Sequence, residues 1–253
     1  MKVTFLGTGT SHGIPVIACG CEVCTSPHEK DKRSRSAIMV EVDNQTIVID
    51  TGPDFRMQML REKVKNIDAV LFTHEHKDHT AGLDDIRAFN FVQEGAIDIY
   101  ATDRVQKSLH TCFDYIFAEH RYPGIPEVKV NVIENKPFTI GPTKIIPIEV
   151  LHYKLPVLGF RIKDFVYITD ANAIPEAEKL KIKGAKVLVL NALRISKHIS
   201  HFSLEEALDM AKELKIETTY FTHISHQLGR HDEVSPILPA GILLAYDGLK
   251  FEI

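Results

Sequence analysis

Thr73-His74-Glu75-His76-Lys77-Asp78-His79 follows directly on the apolar run Asp68-Ala69-Val70-Leu71-Phe72. A short apolar run of this kind predicts a buried strand, so the polar residues behind it leave the strand end on a tight turn. Four potential metal ligands, His74, His76, Asp78 and His79, fall within six residues. His74 and His76 can face one cation while Asp78 and His79 face another. Two cations in one pocket make a nucleophilic hydroxide at neutral pH and clamp a phosphoryl group, because metal binding lowers the pKa of water from about 15.7 toward about 7.

The same grammar recurs along the chain. Asp50 stands behind the predicted strand 46–49, His152 behind 144–150, Asp170 at the end of 165–169 and His223 behind 218–222. Strand ends on one edge of a sheet converge, and α/β folds place their sites there. Asp170 suits a position between two cations, since a carboxylate has two oxygens and brings negative charge; histidines are common ligands around it. Residues 36–42 and 46–49 flank Asp43-Asn44-Gln45 as a β-hairpin. Residues 55–63 and 83–91 have helical composition, 97–100 and 187–190 read as strands, and 159–162 pairs with 165–169. Ser203 with Glu206 forms a capping box, and Leu204, Ala207, Leu208, Ala211 and Leu214 supply the buried stripe of the helix behind it. Residues 243–246 and 249–253 are expected to close the chain as a hairpin around Asp247-Gly248. Residues 110–127 have no clean period and read as a surface-packing insertion, with a substrate-shaping lid as the alternative. No linker or composition break interrupts the chain, so residues 1–253 are expected to form a single domain.

At 253 residues, with 44% hydrophobic and 25% charged residues, the composition is that of a globular protein. A formal charge of −4 argues against an extended nucleic-acid surface but not against a small anionic substrate, because bound metals set the local charge of a site. The N-terminal segment reads as a first strand rather than a signal peptide, and no stretch approaches the ~18 apolar residues of a membrane span. Three of four cysteines are bunched at Cys19, Cys21 and Cys24, which suits a metal site in a reducing compartment, so a cytoplasmic location is expected. A structural zinc closes its shell with four ligands; His12, His28, Cys112 and His226 are all eligible as the fourth. Gly7-x-Gly9 with Gly13 is off by one from the dinucleotide fingerprint and needs only a tight turn. The basic run at residues 30–35 reads as a solvated loop rather than a phosphate-binding patch.

His74-x-His76-x-Asp78-His79, followed by His152, Asp170 and His223, resembles the dinuclear metallo-β-lactamase superfamily. The match runs from Phe5-Leu-Gly-Thr-Gly-Thr-Ser-x-Gly-x-Pro15 to Tyr246-Asp-Gly248. Cys19-x-Cys21-x-x-Cys24 and Thr222-His-Ile-Ser-His-Gln227 are similar to the PhnP-type cyclic phosphodiesterases, relatives of the tRNA 3′-processing ribonucleases. The resemblance implies an α/β fold, a four-layered αββα sandwich with two catalytic divalent metals, zinc or manganese, at its edge. His74, His76 and His152 would hold one metal, Asp78, His79 and His223 the other, and Asp170 would bridge. Asp50 would orient these ligands by hydrogen bonding. His226 would complete a structural zinc with the three cysteines.

A general acid is needed to protonate or stabilise the leaving oxygen. His198 and His201 both precede the capped helix, and the resemblance favours His201; Asp78 would help orient the nucleophile. The implied function is hydrolysis of a small cyclic or nucleotide-like phosphate diester through a metal-bridging hydroxide. The alternatives are a tRNA 3′-processing endonuclease, a thioester or lactam hydrolase of the same superfamily, or a non-catalytic PqqB-like accessory or carrier protein. The expected partners are a small phosphodiester substrate and a second copy of the chain in a homodimer, with no membrane.

Overall fold

In the computed structural model, which describes residues 1–119 and 123–253, the apolar runs become strands buried on both faces. The first half supplies β1 (Lys2–Gly7), β2 (Ala37–Val42), β3 (Gln45–Ile49), β4 (Ala69–Leu71), β5 (Ile97–Ala101) and β6 (Val128–Val132). The second supplies β7 (Phe138–Ile140), β8 (Thr143–His152), β9 (Leu155–Ile162), β10 (Phe165–Tyr167), β11 (Val187–Asn191), β12 (Thr218–Thr222), β13 (Ile242–Leu244) and β14 (Lys250–Glu252). They form two seven-stranded sheets, ordered β14-β1-β2-β3-β4-β5-β6 and β13-β12-β11-β10-β9-β8-β7. Each sheet is antiparallel over one half and parallel over the other: β3 to β6 are parallel in the first, β10 to β13 in the second.

The period-two alternation of side chains decides the layers. In β3, Ile47 and Ile49 point to the cluster between the sheets, where they meet Phe160, Phe165 and Val189. Val48 points the other way, toward Phe55 and Leu83 of the outer helical layer. Val187 and Val189 of β11 join the central cluster, while Leu188 and Leu190 face Ala207 of the helix Leu204–Leu214. Three apolar clusters between four layers give the expected αββα sandwich. Both faces of each sheet are covered, which is why these strands read as continuous apolar runs rather than alternating ones.

The parallel strands place the site. β3, β10 and β12 are followed by Asp50, Asp170 and His223 in left-handed backbone, with φ of 68°, 55° and 55°. A residue other than glycine held there costs on the order of 1–3 kcal/mol and persists only where the surroundings over-determine it. Here each turns the chain sharply at the sheet edge and leaves its side chain in the cluster described below. The capping box at Ser203 is present, with the Ser203 side chain accepting from Glu206 N and the Glu206 carboxylate accepting from Ser203 N.

One expected element does not form. Residues 243–253 are not a hairpin: β13 runs parallel to β12 in the second sheet, whereas β14 pairs antiparallel with β1 in the first. The Tyr246–Gly248 stretch crosses between the sheets instead, fastened where the Asp247 carboxylate accepts from Thr8 Oγ1, Ser34 N and Ser34 Oγ. The helical reading of residues 83–91 resolves into a 3-10 turn, Leu83–Ile86, continuing as the α-helix Arg87–Gln93. Of the stretch 110–127, residues 120–122 lie outside the described residues; before them the helices Asp103–Cys112 and Asp114–Phe117 bury Leu109 and Ile116 in the outer cluster. Among the described residues no helix is long and apolar enough to cross a membrane.

Candidate metal centre

β4 ends at Leu71, and His74 and His76 lie on the extended segment that follows; the helical turn Lys77–Thr80 then carries Asp78 and His79. Gly52 makes room for that turn, since a Cβ at this position would lie 2.1 Å from the Asp78 carbonyl oxygen. Three strands from the second sheet complete the pocket through His152, Asp170 and His223. Donor atoms of His74, His76 and His152 fall within 4.8 Å of one another, as do those of Asp78, His79, Asp170 and His223. The structure thus brings together the residues that the resemblance grouped, with Asp170 among the second set. A third overlapping group, His152 with Asp170 and His201, joins them.

Asp170 sits in the middle. One of its oxygens, Oδ2, is 3.1 Å from His79 Nε2; the other, Oδ1, is 3.2 Å from His223 Nε2 and 3.0 Å from His201 Nε2. His79 Nε2 also faces Asp78 Oδ2 at 3.2 Å, and His74 Nε2 is 3.0 Å from His76 Nδ1. Two donors on a cation at about 2.1 Å stand about 3.0–3.4 Å apart for angles between octahedral and tetrahedral, so the spacing fits shared cations. His79 Nε2 is the sharper observation. It is buried and has no hydrogen bond, yet two carboxylates point at it. A cation among them satisfies all three.

The other ring nitrogens are already occupied, which fixes the imidazoles. His79 Nδ1 lies 2.7 Å from Asp50 Oδ2, His74 Nδ1 lies 3.0 Å from Thr73 Oγ1, and His152 Nδ1 lies 2.9 Å from the Ser200 carbonyl. His223 Nδ1 is 3.2 Å from Ser36 Oγ, while Thr10 Oγ1 stands 3.1 Å from its Nε2. An imidazole whose Nδ1–H is held by an oxygen presents the Nε2 lone pair, the form a metal binds. Asp50 also accepts from Thr73 N at 2.9 Å and Thr73 Oγ1 at 2.8 Å. Thr10, Ser36 and Ser200 were not expected. No spacing in the sequence links them to His223 or His152, because each arrives from a distant loop.

The electrostatics agree with a cation site. Burial holds His74 well below its ordinary range, His223 down to about 4 and His152 below normal, so these imidazoles stay neutral and keep a lone pair. Burial opposes charging of His79 as well, but Asp170, Asp78 and Asp50 outweigh it and raise its pKa well above the ordinary value. Burial likewise works against ionising Asp170 and Asp78. His223 and His79 overcome it at Asp170, His79 foremost at Asp78, and both carboxyls are held below the usual range. The two carboxylates lie beside three imidazoles held neutral, His74, His152 and His223, and draw His79 toward its charged form; a divalent ion can take the place of that proton.

A second cluster stands three residues beyond His223. The sulfurs of Cys19, Cys21 and Cys24 lie 3.4, 3.3 and 3.5 Å from His226 Nδ1. A tetrahedral zinc with Zn–S near 2.3 Å and Zn–N near 2.05 Å sets this edge at about 3.6 Å. Of the other eligible fourth ligands, His28 stacks on His231, Cys112 contacts Lys77, and His12 faces a separate cavity. The backbone N–H of Cys24 leads in lowering the Cys21 thiol to about 6, whereas burial pushes Cys24 up to about 11. Three such sulfurs cannot all be thiolates without a cation between them. Cys24→Ser is therefore expected to remove one equivalent of zinc per chain by elemental analysis and lower the melting temperature by about 5–10 °C. Unchanged metal content would refute zinc at this cluster.

Residues 45–224 match the family model of the beta-lactamase superfamily domain. The chain is 37% identical over 253 residues to an octanoyltransferase of Porphyromonas gingivalis, covering 99% of this chain and 51% of that protein. The chain thus spans about half the length of the curated relatives of this kind. A solved structure described as a new diphosphatase from the PhnP family superposes with a TM-score of 0.93 at 40% identity, covering 100% of this chain and 97% of that one. Zinc-bound PqqB from Methylobacterium extorquens shares the fold, with a TM-score of 0.82 at 20% identity over 100% of both chains. By sequence over most of its length and by fold over all of it, the chain belongs to the beta-lactamase superfamily, within its PhnP family.

Proposed function

We propose that this protein is a metal-dependent hydrolase that cleaves a small phosphate diester, cyclic or nucleotide-like, or the related diphosphate linkage. The observation that carries the reading is Asp170 lying between two groups of ligand atoms, with His201 against it. A pair of divalent ions, zinc or manganese, held there would supply an activated water and neutralise charge on the phosphoryl oxygens. His74, His76 and His152 would hold one ion, Asp78, His79 and His223 the other, with Asp170 between. The similarity to a diphosphatase at 40% identity supports phosphorus as the centre attacked.

The remaining task is departure of the leaving oxygen. The His201 ring lies 4.6 Å from that of His152 and 5.0 Å from that of His223, so a substrate spanning both groups meets it. Its Nε2 faces Asp170, and its Nδ1 lies 3.0 Å from Ser200 Oγ and 3.1 Å from His198 Nδ1. His201 thus stands inside the cluster while His198 touches it from behind, which favours His201 as the proton donor. Hydrolysis of bis(p-nitrophenyl) phosphate is expected to depend on added zinc or manganese and to fall by about 10²–10⁴-fold in His201→Ala. A fully metallated protein that releases no nitrophenol would refute the reading.

The octanoyltransferase relative favours a second reading, cleavage of an acyl ester or thioester by the same ions, although the chain matches only half of that protein. Hydrolysis of p-nitrophenyl octanoate in preference to the phosphodiester would select it.

A further inference from the structure

The basic run at residues 30–35 is more than a solvated loop: it lines a cavity of about 580 Å³ that contains no residue of the histidine–aspartate or cysteine clusters. Five cationic side chains, Lys30, Lys32, Arg33, Arg35 and Arg61, face three acids, Glu29, Asp54 and Asp247. The cavity therefore carries two positive charges in excess within a chain whose net charge is −4. Two of the arginines are neutralised, Arg35 by Asp54 at 3.1 Å and Arg61 by Asp247 at 3.3 Å. Arg33 is buried and spends its guanidinium on Thr8, the Ala245 carbonyl and His231. Arg33, Lys30 and Lys32 then stand against Glu29, and of these three cations only the two lysines are not buried. Among the described residues, Lys30 and Lys32 have no carboxylate within ion-pairing distance: Lys32 Nζ donates to the Ser26 carbonyl, and Lys30 Nζ rests 4.3 Å above the Tyr246 ring.

We infer that this cavity is an anion site, separate from the metal centre, that takes the phosphate group of a small molecule. Two unpaired ammonium groups beside paired guanidinium groups suit a phosphate dianion, and Tyr246 provides a flat wall beside it. The volume is that of a small-ligand pocket. The walls adjoin the candidate metal centre without belonging to it. Gly13 N donates to the Thr10 carbonyl, Thr10 Oγ1 reaches His223, and Arg35 precedes Ser36, whose hydroxyl also reaches His223.

Calorimetric titration of the metal-loaded protein with inorganic phosphate and, separately, adenosine diphosphate tests this without reference to the reaction catalysed. Lys30→Ala/Lys32→Ala is expected to weaken at least tenfold a binding event that persists in Asp170→Asn, with an unchanged circular dichroism spectrum. The single change Lys30→Glu should weaken binding as well, which guards against misfolding of the double variant. Tighter binding of adenosine diphosphate than of phosphate would make the ligand a nucleotide; the reverse order would make it free phosphate. Unaltered affinity in both lysine variants, or loss only in Asp170→Asn, would place the anion at the metal centre and overturn the inference.

Discussion

Asp170→Asn is expected to lower hydrolysis of bis(p-nitrophenyl) phosphate by about 1,000-fold, the equivalent of the several kcal/mol of charge stabilisation a metal site supplies. The carboxylate is 2% exposed and holds three imidazole nitrogens within 3.2 Å of its two oxygens. An amide of the same shape removes a full negative charge and turns an NH₂ toward one of the positions a cation would take. Neither His79 nor His223 moves, so the backbone and the ring packing are retained while the field is lost. Elemental analysis should find any metal of the histidine–aspartate cluster depleted and the zinc expected at the cysteine cluster kept. A folded variant that retains all its metal and turns over within tenfold of the parent would show that Asp170 does not stand between the ions.

Asp50 separates stability from metal affinity. It is fully buried and accepts from Thr73 N, Thr73 Oγ1 and His79 Nδ1. Burial raises its carboxyl pKa and His79 works against that rise, so the carboxylate owes its place to the imidazole it orients. Asp50→Ala strands the Thr73 N–H and the His79 ring without partners, at a cost of about 3 kcal/mol. For a chain of this size that is a fall of about 6–12 °C in melting temperature. Metal affinity should drop about 10–100-fold as well. Asp50→Asn divides the two effects. Its carbonyl oxygen still accepts from Thr73 N, so most of the stability returns. Its amide NH₂ now faces His79 Nδ1, which favours the tautomer with hydrogen on Nε2 and blocks the lone pair aimed at the cluster. Calorimetry and metal titration of the two variants should therefore diverge. Wild-type metal affinity in Asp50→Asn would show that Asp50 only packs.

The positions of these residues differ in how far they were legible before folding. His74, His76, Asp78 and His79 were readable because they are local: a strand end followed by a turn brings neighbours in sequence into one pocket. Asp170 and His223 were readable by analogy of position, each closing an apolar run. Their left-handed backbone was not, since nothing in Thr169-Asp170 or Thr222-His223 distinguishes a sharp turn from a gentle one. Thr10 and Ser36 were invisible for a different reason. They reach His223 across 213 and 187 residues, and polar residues in loops are too common to single out.

The closing hairpin shows where local grammar misleads. Asp247-Gly248 between two apolar runs satisfies every turn rule, yet the runs belong to different sheets because β12 and β1 each offer an open edge. The basic run at residues 30–35 misled in the same way. Its charges look solvated in one dimension, and only the approach of Arg61, Tyr246 and Asp247 from far along the chain turns them into a cavity wall.

By itself the sequence determined the donor types, their spacing behind strand ends, the two-sided burial of the strands and the capped helix before which His201 lies. Those depend on side-chain chemistry and on periods of two or 3.6 residues, both written locally. The tertiary structure decided how closely those donors approach one another, that His226, which residue types alone left level with His12, His28 and Cys112, faces the three cysteines, and where the last two strands pair. Such choices rest on contacts between residues as far apart in the chain as Lys2 and Glu252. They follow from the order of strands in the two sheets, which is set by the packing of the whole apolar core and not by any segment of it.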